Sequence, residues 1–342
     1  MRTIILTGGG TAGHVLPHIA LLPTLKKQFN QIFYLGGDGI EKQIAAEHNI
    51  AYRQITTVKL RRKLTLSNLL IPFKLIKGIR EAKKLLQEIK PDVIFSKGGF
   101  VALPVVLAAA QLKIKVIAHE SDMSLGLANR LSARHCNTIC TTFPIQNAKY
   151  HNLVHTGAII RPSIYQGDPN KIKLPNNGKP NLLVTGGSLG AAAINQAVWH
   201  ALDMLTERFN VLHIAGKGKT NPNLHKDNYL QVEYLPSPEN AFAWADVVVS
   251  RAGSGTVSEL LALKKPALYI PLPKDESRGD QIQNAEYLQN LGVCHTLEQS
   301  ALNPECLTEA VVDVYRHRQD MIAQCEKQTW IDGTEKVLSY LQ

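Results

Sequence analysis

A chain of 342 residues is longer than one hydrophobic core usually organises, so two domains of about 150 residues each are the expectation. With 44% hydrophobic and 19% charged residues it has the composition of a folded globular protein, which excludes extensive disorder. The net charge is +10 and is concentrated rather than spread. The longest charge-free apolar run, residues 98–112, contains Pro104 and is too short for a spanning helix. Met1 leads directly into a strand-like segment, so no signal peptide is expected. Five scattered cysteines without a CxxC pair read as reduced thiols in the cytosol.

RTIILT opens the chain as a strand and enters the glycine turn and helical stretch GGGTAGHVLPHIALLPTLKKQ. QIFYLGG then reads as strand, EKQIAAEHN as helix, PDVIFSKGG as strand, LPVVLAAAQL as helix and KVIAHES as strand. Between the second and third strands of that series, residues 59–90 hold ten basic residues against Glu81 and Glu88, a local charge of +8. Their apolar partners, among them Leu60, Leu64, Phe73 and Ile76, are spaced as in amphipathic helices and exceed what a solvated face needs. That combination predicts contact with an anionic membrane surface. Nucleic acid is disfavoured, because no stacking aromatics and no helix-turn-helix or RNA-binding signature accompany the charge.

After a break rich in Pro, Gly and Asn at 161–180 the pattern restarts. NLLVT enters GGSLGAAAINQAVWHAL, followed by FNVLHIAG, VEYL and ADVVVS as strands, a helix over 255–263, and PALYIPL. Both halves open as strand, Thr-Gly-Gly, helix, at Thr7 and Thr185. Alternating strands and helices predict an α/β fold of two Rossmann-like domains facing across a cleft. The expected boundaries are 1–162 and 163–325, with 326–342 a helix that packs back on the first domain.

A glycine turn leading into a helix N-terminus suits an anion. Neither turn matches a strict dinucleotide fingerprint, and no acidic residue ends the second strand, so a dehydrogenase is disfavoured. The segment SRAGSGTVSE is more informative. Ser254, Gly255 and Thr256 would present N–H groups to a diphosphate, Arg251 would add charge, and Glu259 would accept from ribose hydroxyls. Asp280 and Gln281, opening another helix, suit vicinal sugar hydroxyls.

GGGTAGHVLP, KGGFVALP, HES, the arginine of TGAIIRP, GGSLGA and SRAGSGTVSELLALKKPALYIPL together resemble the MurG family, in order and across nearly the whole chain. The resemblance implies a glycosyltransferase-B fold with the nucleotide sugar on the second domain and the acceptor on the first. It implies inverting, metal-independent transfer from UDP-N-acetylglucosamine to undecaprenyl-linked lipid I, forming lipid II, with no cofactor. It implies a peripheral enzyme on the cytoplasmic face of the inner membrane, with cell-wall synthesis proteins as candidate partners. By motif, Thr11, Ala12 and Gly13 would contact the donor from the first domain, and Arg161 and Ser188 the nucleotide. Leu235 would lie against uracil, and Ser254, Gly255, Thr256, Val257, Ser258 and Glu259 would hold diphosphate and ribose. Gln281, with Asp280, would hold the sugar. Asp122 stands where the family usually has Asn, and Ala12 where it usually has Gly.

An inverting transfer needs a base, and His14 suits it by its near-neutral intrinsic pKa. Glu120 and Asp122 are the alternatives. His14 and His18 lack a third ligand for zinc, and no DxD occurs. A glycolipid synthase using UDP-galactose or UDP-glucose, and an inactive nucleotide-sugar-binding module, are the rival readings.

Overall fold

A computed structural model describes residues 1–58, 71–145, 149–187 and 190–342. They divide into two compact units, Met1–Arg161 with Asp332–Gln342, and Pro162–Ile331.

The first unit runs β1 (Thr3–Thr7), α1 (Leu16–Gln28), β2 (Gln31–Gly36), α2 (Ile40–Glu47), β3 (Ala51–Gln54) and α3 (Ile71–Ile89). It continues with β4 (Val93–Ser96), α4 (Gly99–Gln111), β5 (Lys115–Glu120), α5 (Leu127–Ser132), β6 (Thr138–Thr141) and β7 (Leu153–His155). The strands form one parallel sheet in the order β3-β2-β1-β4-β5-β6-β7. Helices cover both faces, so the central strands are apolar at successive positions: TIILT and VIFS are buried throughout. The edge strand β3, AYRQ, is largely exposed, which is why no apolar pattern announced it. Helix α3 lays Gly78, Ala82 and Leu86, spaced by four, against the sheet side.

The second unit runs β8 (Asn181–Thr185), α6 (Ala192–His200), α7 (Leu202–Arg208), β9 (Asn210–Ile214), β10 (Tyr229–Val232) and α8 (Pro238–Trp244). Then come β11 (Val247–Ser250), α9 (Ser254–Ala262), β12 (Ala267–Tyr269), α10 (Asp280–Asn290), β13 (His295–Thr296), α11 (Pro304–Arg316) and α12 (Arg318–Glu326). Its parallel sheet has the order β10-β9-β8-β11-β12-β13. The strand read at VEYL ends three positions earlier than expected, at Val232, so Leu235 lies in the loop beyond it. Met321 of α12 joins this unit's core, so the crossing falls at 331/332, later than the 325/326 boundary read from the sequence.

The chain then returns to the first unit as α13 (Thr334–Leu341), whose Val337, Leu338 and Leu341 pack with Ile4, Leu6 and Phe95. Thr334 Oγ1 accepts from the Ile160 N–H at 3.0 Å and pins the helix start.

Each unit also buries polar side chains. In the second, the imidazole of His213 is fully buried, with Nδ1 3.0 Å from the Tyr229 hydroxyl and Nε2 3.0 Å from Asn195 Oδ1. Burial pulls its pKa down from 6.5 to about 4. The unfolded chain therefore binds a proton that the folded chain refuses between these values, and stability falls as pH drops through the window. The loss reaches about 3 kcal/mol once both states are protonated. Urea unfolding of wild type and His213→Gln at pH 7 and pH 4 should show a smaller acid loss in the variant. Equal losses would assign the acid sensitivity to other groups.

Candidate functional site

In the second unit β8 and β11 are neighbours, and the chain leaves them toward opposite sides of the sheet, to β9 and to β12. Ligands of open α/β sheets bind beyond the carboxyl ends of strands at such a point. The turn after β8 carries Gly187 at φ 80° and Gly190 at φ 69°, a left-handed region that other residues enter only with strain. A Cβ on Gly190 would stand 2.0 Å from the Ala215 carbonyl oxygen, so glycine also permits the close approach to the end of β9.

A cavity of about 560 Å³ opens there, lined by Gly186, Gly187, Gly190, Ala191–Ala193 and Gln196 on one side. Arg251, Gly253, Thr256, Leu272, Glu276, Gln281 and Gln299 line the other. Helices α6 and α9 both begin at this cavity, and the first N–H groups of a helix have no partner within it. Two helix N-termini at one cavity make a site for a doubly charged oxyanion group.

Several expected contributions change in detail. Arg251 lines the cavity but is not an open clamp. Its Nη1 donates to the carbonyls of Ile270 and Pro271 at 2.9 and 3.2 Å, and its Nη2 to Gln299 Oε1 at 2.6 Å. Burial lowers its pKa, with Glu276 opposing the shift. The guanidinium thus braces the strand ends with three of its five N–H groups, while its Nε is buried and without a hydrogen-bond partner. Val257 and Ser258 are buried and not among the lining residues, and the Val257 N–H bonds to the Gly253 carbonyl. Thr256 lines the cavity, and Glu259, three residues on, lies on the same helix face. Gln281 Oε1 accepts from the Leu272 N–H at 3.0 Å, which fixes its amide so that Nε2 is the donor side. Asp280 pairs with Arg278 at 3.6 Å. Leu235 is not among the lining residues, Arg161 ends the first of the two segments that make up the first unit, and Ser188 lies outside the described residues.

Sequence reading missed Gln196, Glu276 and Gln299. Gln196 was findable, four residues after Ala192 on the helix that the glycine turn opens. Gln299, which donates to Glu276 at 3.2 Å, sits in a segment with no motif.

The first unit repeats the topology, with β1 and β4 adjacent at its reversal. The turn after β1 places Thr11, Ala12 and Gly13 at the surface or partly exposed, with Ala12–His14 forming a short 3-10 turn. His14 Nδ1 lies 3.1 Å from the Gly9 carbonyl oxygen and 3.1 Å from Thr11 Oγ1. A carbonyl only accepts, so the ring proton sits on Nδ1 and Nε2 is the basic nitrogen.

Glu120, at the end of β5, does not have a base's freedom. Its Oε1 accepts from the N–H groups of Ser121 and Asp122 at 2.9 and 3.2 Å. Its Oε2 accepts from the Gly126 N–H and Asn129 Nδ2 at 2.8 and 2.9 Å. Both oxygens are thereby committed to shaping the loop that carries Asp122. Beside it, the buried Lys97 ammonium sits 2.6 Å from His119 Nδ1 and 2.7 Å from Ser121 Oγ. Burial lowers the Lys97 pKa to about 8, opposed by Glu120 and Asp122.

Comparison with known proteins decides the family. The glycosyltransferase family 28 N-terminal domain matches residues 4–141 and the family 28 C-terminal domain residues 181–337. The UDP-N-acetylglucosamine--N-acetylmuramyl-(pentapeptide) pyrophosphoryl-undecaprenol N-acetylglucosamine transferase of Lachnoclostridium phytofermentans is 45% identical, over 100% of this chain and 99% of its own. That of Clostridium novyi is 41% identical over 99% and 98%. The chain belongs to the MurG family of glycosyltransferases. The crystal structure of Acinetobacter baumannii MurG superposes with a TM-score of 0.80 at 27% identity, covering 99% of this chain and 98% of that one. The calicheamicin glycosyltransferase CalG4, at 15% identity and a TM-score of 0.73, shares the glycosyltransferase-B fold.

At Gly190 the positive φ and the nearby Ala215 carbonyl both oppose a side chain. Gly190→Ala should lower the unfolding free energy by about 1–3 kcal/mol through backbone strain alone. A urea titration with an unchanged midpoint would show that the turn can relax.

Proposed function

We infer that the chain transfers N-acetylglucosamine from UDP-N-acetylglucosamine to the muramoyl sugar of undecaprenyl-diphosphate-linked lipid I, forming lipid II. The observation that carries this reading is a full-length match to transferases of that name in a chain whose second unit opens two helix N-termini onto one cavity. In this reading the second unit holds the donor. The N–H groups at the starts of α6 and α9 and the Arg251 charge receive the diphosphate, Glu259 the ribose, and Gln281 Nε2 the sugar.

His14 in the first unit is the base. Its Nε2 removes the acceptor hydroxyl proton while that oxygen bonds to the anomeric carbon of N-acetylglucosamine. The bond from that carbon to the diphosphate oxygen breaks, its electron pair leaves with UDP, and the configuration inverts to a β-1,4 linkage. Helix N–H groups stabilise the leaving charge where it develops.

UDP release should follow lipid I addition with UDP-N-acetylglucosamine and not with UDP-glucose or UDP-galactose. His14→Ala should lower that turnover by about 10²–10⁴-fold with donor affinity unchanged. Full turnover in His14→Ala would end its role as base, and preference for another sugar would favour a glycolipid synthase.

The acceptor's lipid keeps it in a bilayer, and among the described residues no helix is long and apolar enough to cross one. We propose peripheral attachment at the cytoplasmic face through the basic segment. Residues 59–70, with Arg61, Arg62 and Lys63, lie outside the described residues, but α3 carries the rest. While Ala82 and Leu86 face the core, Phe73 is 72% and Ile76 48% exposed, beside Lys74 and Lys77. Each basic residue near an anionic surface contributes about 1 kcal/mol. Replacing Phe73, Ile76 and Lys77 together by Glu should abolish co-sedimentation with phosphatidylglycerol vesicles and spare activity on a short-chain soluble acceptor. Undiminished co-sedimentation would place the attachment elsewhere.

A further inference from the structure

The glycine turn of the first unit already holds an anion, and it belongs to the chain. Glu41, in the first turn of α2, is 1% exposed. Its Oε2 accepts from the Gly10 N–H at 3.2 Å and its Oε1 from the Gly37 N–H at 3.1 Å. Four glycines make the space. A Cβ on Gly9 would meet the Glu41 carboxyl carbon at 2.5 Å, and one on Gly39 would meet Oε2 at 2.6 Å. A Cβ on Gly36 would meet Cγ at 2.9 Å, and one on Gly37 would meet Oε1 at 3.2 Å. GGG at 8–10 and GGDG at 36–39 are therefore two walls of one carboxylate cradle.

The rest of the turn is held from the same side. Tyr34 donates its hydroxyl to the Gly8 carbonyl at 2.7 Å, and Tyr52 donates to that of Gly37. Burial raises both phenol pKa values and the Glu41 charge raises them further, so both hydroxyls keep the proton they donate. The Gly8 carbonyl and the Gly10 N–H are thus fixed, and the Gly9 carbonyl between them has one orientation left. It points at His14 Nδ1, 3.1 Å away.

We propose that Glu41 is a positioning residue for the transfer: by tethering Gly10 and Gly37 it aims the Gly9 carbonyl at His14 and keeps the ring proton on Nδ1. This rests on the reading of His14 as the base. Glu41 touches no substrate in this scheme. Its effect passes through one peptide unit to the imidazole, where Nε2 must stay unprotonated to accept a proton.

Glu41→Gln keeps the shape but presents an amide NH₂ to one of the two N–H groups, so one tether is lost. A misplacement of the order of 1 Å at a catalytic group costs about 10²-fold in rate. Glu41→Gln should therefore lower kcat by about 10²-fold while the donor Kd, measured by calorimetry on the full chain, is unchanged. Nitrogen NMR of ¹⁵N-histidine-labelled protein, with the His14 signal assigned by its loss in His14→Ala, should show the Nδ1–H tautomer in wild type. In Glu41→Gln it should show a mixture. Glu41→Asp, one methylene shorter, should fall on the same side as Glu41→Gln. In the His14→Ala background, Glu41→Gln should cost almost nothing more. Wild-type kcat in Glu41→Gln, or a lowered kcat with an unmoved tautomer, would overturn the proposal. A further 10²-fold loss in the His14→Ala background would overturn it too, since Glu41 would then act by another route. Full activity of His14→Ala alone would instead remove the base reading.

Discussion

A parallel strand that ends at a switch point leaves N–H and C=O groups with no neighbouring strand to bond, and a buried peptide group without a partner costs stability. Both units meet this constraint beside their central strands, after Thr7 and after Thr185. They meet it with glycine because the turn must double back against a neighbouring strand end with no room for a side chain. In the second unit Gly187 donates to Thr185 Oγ1 and Gly190 to the Gly187 carbonyl, so the turn closes on itself. In the first unit the turn is closed from outside, by Tyr34, His14 and Glu41.

The parts of the fold that were legible in the sequence are those where one residue's environment repeats along an element. TIILT, VIFS and VVVS are buried on both sides of a sheet and read as apolar runs. AYRQ at the edge and HT at β13 have mixed surroundings and left no such trace. YLQV was displaced to VEYL because Leu235 continues the apolar spacing past the point where the strand stops.

The site was legible to the extent that it is backbone. SRAGSGTVSE announces a helix start after a buried strand, and α9 begins at Ser254. What the motif could not tell is where hydrogen-bonding capacity goes. Arg251 spends three of its five N–H groups on the carbonyls of residues 270 and 271 and on Gln299, and Glu120 accepts from four donors within nine residues. Those assignments are tertiary facts about satisfied lone pairs and protons. Glu41 was hidden for the same reason: a carboxylate in an ordinary helical stretch becomes informative only when four glycines close around it.

The two turns, alike in sequence, therefore offer opposite chemistry. In the first, a carboxylate already occupies the Gly10 N–H, and a second anion on that N–H would face a like charge in a poorly solvated place. What the turn presents is an oriented carbonyl and, through it, a histidine with a defined basic nitrogen. The second turn opens a cavity where two helices begin, and its free helical N–H groups attract negative charge. A transfer reaction needs both kinds of site, one to take a proton from the attacking hydroxyl and one to receive the charge of the departing diphosphate. In the proposed transfer the first turn orients the base and the second receives the diphosphate, and the buried Glu41 carboxylate on the Gly10 N–H is what sets the first turn apart.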